Sequence, residues 1–221
     1  EEESGIKANF PPHLQTSETA LLFLQYIMRT LRVAGAPVKG TGNQGNQGTT
    51  RAQRGGRAAV IVPNGTLFGD GIAAAIKRDL LQDFNLHTIV RLPQGAFAPY
   101  TDIPANILFF ERTGPTQHVW YYELPLPAGR KKYSKTAPLQ WEEFAPLLAW
   151  WQAREAGPHA WNVAAADLIA SGYNLDRKNP HTGAAQAHAD PRELIAQMRS
   201  HEGDIVRLLG EMEALVEEAL A

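Results

Sequence analysis

The residues that could do chemistry are scattered along this chain, and most reaction classes can be set aside from their spacing. Histidines stand at positions 13, 87, 118, 159, 181, 188 and 201, with no His-x3-His pair and no carboxylate at ligand spacing, so no metal site is expected. Cysteine is absent, which removes thiol nucleophiles, disulfides and thiolate-bound metals. The five serines form no Gly-x-Ser-x-Gly elbow, and no Gly-x4-Gly-Lys-Ser/Thr phosphate loop occurs. Three stretches remain. Asn64-Gly65-Thr66-Leu67-Phe68-Gly69-Asp70-Gly71 is rich in glycine, and could be an anion-binding strand-to-helix joint or simply a tight turn. It lacks the Gly-x-Gly-x-x-Gly order of a dinucleotide site. The stretch from Leu92 to Ile103 carries Phe97 and Tyr100, either a platform on which a base could stack or a hydrophobic plug. Arg130, Lys131 and Lys132, followed by Lys135, could contact phosphates or could line a solvated loop.

These residues need a scaffold, and the hydrophobic pattern supplies one. The chain has 221 residues, 44% hydrophobic and 20% charged, enough for a sizeable core. Its net charge of −2 gives no overall electrostatic footprint for nucleic acid. No apolar run approaches the roughly 20 residues of a membrane span, so a cytoplasmic chain is expected. Residues 17–32 predict a helix capped by Thr16 or Ser17, apolar on more than one face and covered on several sides. Residues 39–57, with six glycines and Lys39, Arg51, Arg54 and Arg57, predict a mobile insertion. Ala58–Val62 reads as a strand buried on both faces, 71–83 as a helix and Leu86–Leu92 as a second strand, a βαβ unit with parallel strands. Ala105–Glu111 and His118–Glu123 follow as strands joined too closely for helical crossovers, hence as antiparallel neighbours. Short helices are expected around Trp141–Trp151 and Val163–Ala170, and a linker over 179–191. In the last thirty residues Leu194, Met198, His201, Ile205, Leu208, Met212, Leu215 and Ala219 repeat in steps of four and three, a heptad seam for its own domain or for a partner helix.

Several segments resemble modification subunits of type I restriction-modification systems, which belong to the adenine-specific DNA methyltransferases. They are Thr16-Ser17-Glu18-Thr19-Ala20-Leu21-Leu22-Phe23-Leu24, the run from Gly55 through Pro63 to Gly69, and Leu86-His87-Thr88-Ile89-Val90-Arg91-Leu92-Pro93. Gly95-Ala96-Phe97, Asn106-Ile107-Leu108-Phe109-Phe110, Val119-Trp120-Tyr121-Tyr122 and Tyr173-Asn174-Leu175-Asp176 continue the likeness in order.

The resemblance implies methyl transfer from S-adenosylmethionine to the exocyclic amine of adenine in DNA, on a doubly wound Rossmann-like α/β sheet. Its glycine loop for the methyl donor and its Asn/Asp-Pro-Pro-Phe/Tyr catalytic motif do not occur here. Asn9-Phe10-Pro11-Pro12-His13 has similar letters in another order, and the motif is expected upstream of Glu1. The implied architecture is the C-terminal half of the catalytic domain over 1–126 (fifth to seventh strands), an irregular and helical extension over 127–190, and a heptad-patterned helix over 191–221. The same likeness implies that Ala58–Pro63 is an open edge beside a fourth strand, and that the isolated chain is inactive and poorly soluble. It places Phe97, Tyr100, Asn64 and Gly65 around a flipped adenine. Arg130, Lys131 and Lys132 fall near DNA phosphates. Leu194, Met198, Ile205, Leu208, Met212 and Leu215 fall against a specificity subunit, with a restriction subunit as a further partner. The alternative is a non-catalytic scaffold of a DNA-modifying complex.

Overall fold

The computed structural model describes residues 2–35, 55–181, 199, 202–203 and 205–212. The expected insertion at 39–57 therefore lies outside the described residues except for Gly55, Gly56 and Arg57, as do 182–191 of the expected linker.

Five strands form a mixed sheet: β1 (Arg57–Pro63), β2 (Asn85–Arg91), β3 (Ala105–Glu111), β4 (His118–Glu123) and β5 (Ala160–Ala164), in the order β1-β3-β2-β4-β5. β3 is antiparallel to both β1 and β2, so those two run parallel as expected but with β3 between them. β3 and β4 are not neighbours, contrary to expectation. β4 instead pairs with β2 in parallel and with β5 antiparallel. The short connection can do this because it passes beneath the start of β2, where the buried Thr116 anchors it. The Thr116 hydroxyl donates to the Phe84 carbonyl at 2.7 Å and accepts from the Leu86 amide at 2.8 Å.

Helices cover both sheet faces. α2 (Thr19–Thr30) and α3 (Ile72–Asp83) place Leu21, Leu24, Ile76 and Leu80 in a cluster with Leu86, Ile89, Leu108 and Phe110. Both Leu86 and Ile89 face it because a register shift between Leu86 and Thr88 resets the strand's alternation. On the other face α4 (Ala145–Ala153) sets Leu147, Trp150 and Trp151 against Val90, Phe109 and Tyr122. Trp151 meets Phe109 edge-on at 4.7 Å between ring centres, a favoured arrangement of aromatic quadrupoles. The helix expected around Val163–Ala170 is divided: Ala160–Ala164 is spent on β5, and α5 (Ala165–Ala170) begins where pairing with β4 ends. A short helix, α1 (Glu2–Lys7), precedes all of these.

Three expectations about local packing are corrected. α2 takes no side-chain cap: Thr16 accepts from the Glu18 amide at 3.1 Å and Glu18 occupies the cap position. Nor is α2 covered on several sides among the described residues, since Phe23 and Tyr26 remain 62% and 61% exposed. β1 is not buried on both faces either. Val62 is buried while Arg57, Ala59 and Ile61 are exposed, and β1 is the edge of the described sheet. Gly55 and Gly56 explain their own identity, because a Cβ on Gly55 would lie 2.2 Å from the Arg112 carbonyl oxygen and one on Gly56 2.8 Å from the Arg32 amide.

The chain divides into two compact units, Glu1–Pro180 and His181–Ala221. In the second, residues 205–212 are helical, with Ile205, Leu208 and Met212 exposed and an Arg207–Glu211 ion pair of 2.7 Å one turn apart. Leu194, Met198 and Leu215 of the heptad seam lie outside the described residues.

Candidate functional site

In an open α/β sheet, ligands bind beyond the carboxyl ends of the parallel strands, where loops rather than ladders satisfy the backbone. Four segments converge there. The turn after β1 begins at Asn64, whose amide donates to the Pro104 carbonyl at 2.8 Å and whose Oδ1 accepts from the buried Asn106 at 3.0 Å. Pro104 ends the loop between β2 and β3, so Asn64 fastens one loop to the other. The loop after β4 joins them, because the Tyr133 amide donates to the Gln94 carbonyl at 3.0 Å. Gly95 sits so close, at φ +77°, that a Cβ would lie 2.2 Å from the Tyr133 carbonyl oxygen. The fourth segment is Tyr173–Asn179. Leu175 donates its amide to the Leu67 carbonyl, and its own carbonyl accepts from the Tyr121 hydroxyl. Arg91, at the end of β2, pairs with Asp176 at 2.6 Å.

The residues expected to meet a base occupy two of these loops. Phe97 is half-buried against the core cluster beneath α4, partly the plug that the sequence allowed. Tyr100, three residues on, is 92% exposed. Gly65 is exposed, with open space where a Cβ would stand. Of the expected phosphate contacts, Arg130 lies over the Tyr133 ring and pairs with Glu143 at 3.6 Å. Lys132 pairs with Asp102 at 2.8 Å, and Lys131 is exposed. The Asn9–His13 stretch is structural: Arg29 donates to the Asn9 carbonyl at 2.6 Å and lies over the buried Phe10 ring.

Sequence reasoning missed Lys77. Its side chain is 1% exposed, and its ammonium donates to the carbonyls of Leu67, Phe68 and Gly69 at 3.0, 2.9 and 2.9 Å. Desolvation lowers its pKa to about 8, while Asp70 and Glu18 oppose the drop. Only the 3.6-residue period could have shown it, since Lys77 follows Ile76 and precedes Leu80 on the buried stripe of α3. His87 was also passed over. Burial, with Arg154 and Arg57 nearby, lowers its pKa to about 4, and it lines a cleft of about 340 Å³ toward the amino ends of β1 and β2.

Neither of two spaces among the described residues suits the methyl donor. The glycine-bearing turn at 64–71 directs carbonyls, not amides, inward, and Lys77 fills the space they enclose. The larger groove, about 580 Å³ between α1 and α2, is lined by Ile6, Phe10, Phe23 and Tyr26 and has no carboxylate in its wall to hold ribose hydroxyls. Among the described residues no group of His, Asp or Glu could hold a metal, and no helix is long and apolar enough to cross a membrane.

The chain is similar to known proteins. The family described as N-6 DNA Methylase matches residues 49–189. The methylase subunit of the type I restriction enzyme EcoEI from Escherichia coli is 44% identical, over 100% of this chain and 42% of its own length. The EcoKI methylase subunit of Escherichia coli strain K12 is 28% identical over 86% of this chain and 34% of its own length. The chain thus spans less than half the length of these curated relatives. Among solved structures, a modification subunit assigned to a type I restriction enzyme of Vibrio vulnificus YJ016 superposes with a TM-score of 0.73 at 51% identity, covering 84% of this chain and 37% of that one. The EcoKI M protein shares the fold with a TM-score of 0.56 at 24% identity, over 94% of this chain and 46% of that one. The mixed α/β sheet is accordingly methyltransferase-like, and this chain belongs to the N-6 DNA methylase family.

Proposed function

We propose that this chain is the target-base side of an adenine-specific DNA methyltransferase, the modification subunit of a type I restriction-modification system. The observation that carries the reading is the meeting of the Asn64 turn and the Phe97–Tyr100 loop at the carboxyl end of the sheet, fastened through Pro104 and Asn106. Adenine within a duplex is out of reach of such a site, so the base must be flipped out and held against an aromatic face. Tyr100 has a free ring, while Phe97 offers one edge of a ring anchored in the core. Asn64 and Gly65 shape the opposite wall. In this reading β1, β2 and β3 are the fifth, sixth and seventh strands of the full sheet. The base-side half then comprises 1–126, the extension 127–190, and the tail 191–221. The open edge of β1 and the exposed Phe23 and Tyr26 support a further polypeptide packing there.

S-adenosylmethionine, the donor that the family implies, is bound by residues outside this chain, together with the Asn-Pro-Pro-Phe motif. The isolated chain is therefore inactive. Of Arg130, Lys131 and Lys132, Lys131 is best placed to reach phosphate, because the other two pair with Glu143 and Asp102. Ile205, Leu208 and Met212 form an exposed apolar ridge suited to a helix of a specificity subunit, with Leu194, Met198 and Leu215 extending it and a restriction subunit completing the complex. The working compartment is the cytoplasm, where the DNA is. The test is methyl transfer to adenine by the longer polypeptide with its specificity subunit. Tyr100→Ala should lower kcat/KM about tenfold, in line with one lost stacking contact. Undiminished transfer by both Tyr100→Ala and Phe97→Ala would overturn the reading.

A further inference from the structure

Lys77 is the only buried charged side chain among the described residues. Nothing in the proposed chemistry uses it. Three successive carbonyls, those of Leu67, Phe68 and Gly69, point at its ammonium and match its three N–H donors one for one. The turn must bend sharply to bring them together: Phe68 stands at φ −106°, ψ −126° and Gly69 at φ +69°. Three adjacent carbonyl dipoles converging in this way repel one another unless a cation lies between them. The ammonium offsets that repulsion, at the cost of its own desolvation.

The same turn is tied outward. The Leu67 carbonyl accepts a second bond, from the Leu175 amide at 2.8 Å, and so the ammonium, the turn and the 173–177 segment share one oxygen. Asp176 continues the chain of contacts to Arg91 at the end of β2. The charged groups that bear on the ammonium are Asp70 in the turn and Glu18 at the start of α2.

We propose that Lys77 is a positioning residue of the base-side site: its ammonium closes the turn that carries Asn64 and Gly65 and locks it to the 173–177 segment. The inference rests on the proposed function only for what the turn is positioned to do. The closing of the turn stands on the carbonyl geometry alone.

Amide hydrogen exchange on the 221-residue chain tests it. In Lys77→Met, which keeps the apolar stem and removes the charge, peptides spanning 64–71 and 173–177 should exchange at least tenfold faster at pH 7. Peptides from β2 and β3 should keep their protection. A second arm uses Lys77→Gln, which removes the charge and shortens the side chain so that it cannot reach all three carbonyls. Protection should again fall in the same two peptides and not in the strands. Unchanged protection of 64–71 in both arms would overturn the proposal, as would a uniform loss across turn and sheet. In the longer polypeptide, Lys77→Met should raise KM for DNA at least fivefold and leave KM for the methyl donor unchanged. Should the turn loosen without any change in KM for DNA, Lys77 still closes the turn and it is the base-side reading that fails.

Discussion

Two of the loops at the carboxyl end of the sheet are held in opposite ways. The turn at 64–71 is fixed from its centre, where one buried ammonium gathers three carbonyls, and it offers mostly backbone. The loop at 92–104 is fixed at its base, where Gly95 lies against the Tyr133 backbone, and its tip leaves Tyr100 almost wholly free. The contrast suggests a division of labour. A wall that only shapes a pocket can be rigid throughout, whereas a ring that must receive a flipped base needs a firm base and a free face.

The comparison can be broken most severely at Gly95. Gly95→Ala puts a methyl group 2.2 Å from the Tyr133 carbonyl oxygen at a φ that L side chains rarely adopt. The loss should be roughly 3 kcal/mol, read as a clear drop in the urea midpoint. Discharging Lys77 comes next. Its pKa falls from 10.5 in the unfolded chain to about 8 in the folded one, so between those values the unfolded state binds more protons. The unaltered chain should therefore gain stability relative to Lys77→Met as the pH rises from 8 to 10.5. A constant difference across that window would show that the ammonium is not desolvated. Tyr100→Ala sharpens the comparison by its silence. An exposed ring contributes little to folding, so the midpoint should move by less than about 0.5 kcal/mol while DNA methylation by the longer protein falls. Smallest of all, Lys132→Ala removes an exposed ion pair with Asp102 and should shift stability by about 0.5 kcal/mol or less, fading with added salt.

Much of the scaffold was legible in the sequence. The strands at 57–63, 85–91, 105–111 and 118–123 and the helices around them follow from apolar runs bounded by proline and glycine. Their order in the sheet was not. Short joints between β2, β3 and β4 predict neighbours, and nothing in a hydrophobic pattern reveals that Thr116 carries the chain beneath β2. β5 was hidden because Ala160–Ala164 alternates weakly and borders a helix. Among the proposed site residues, Asn64 and Tyr100 stand out in the sequence by residue type and place. Lys77 was not, since a lysine on a helix ordinarily reads as surface, and only the fold shows three carbonyls waiting for it. Arg130 and Lys132 read as unpaired cations in the sequence, and the fold brings Glu143 and Asp102 to them.

On the proposed reading, this chain carries the base side of the methyltransferase and not the donor side. Calorimetric titration of S-adenosylmethionine into the purified 221-residue chain tests it most directly. No binding heat up to millimolar donor is the predicted result. Saturable micromolar binding would contradict the account and return the donor site to residues of this chain, with the Asn64–Gly71 turn the first to re-examine.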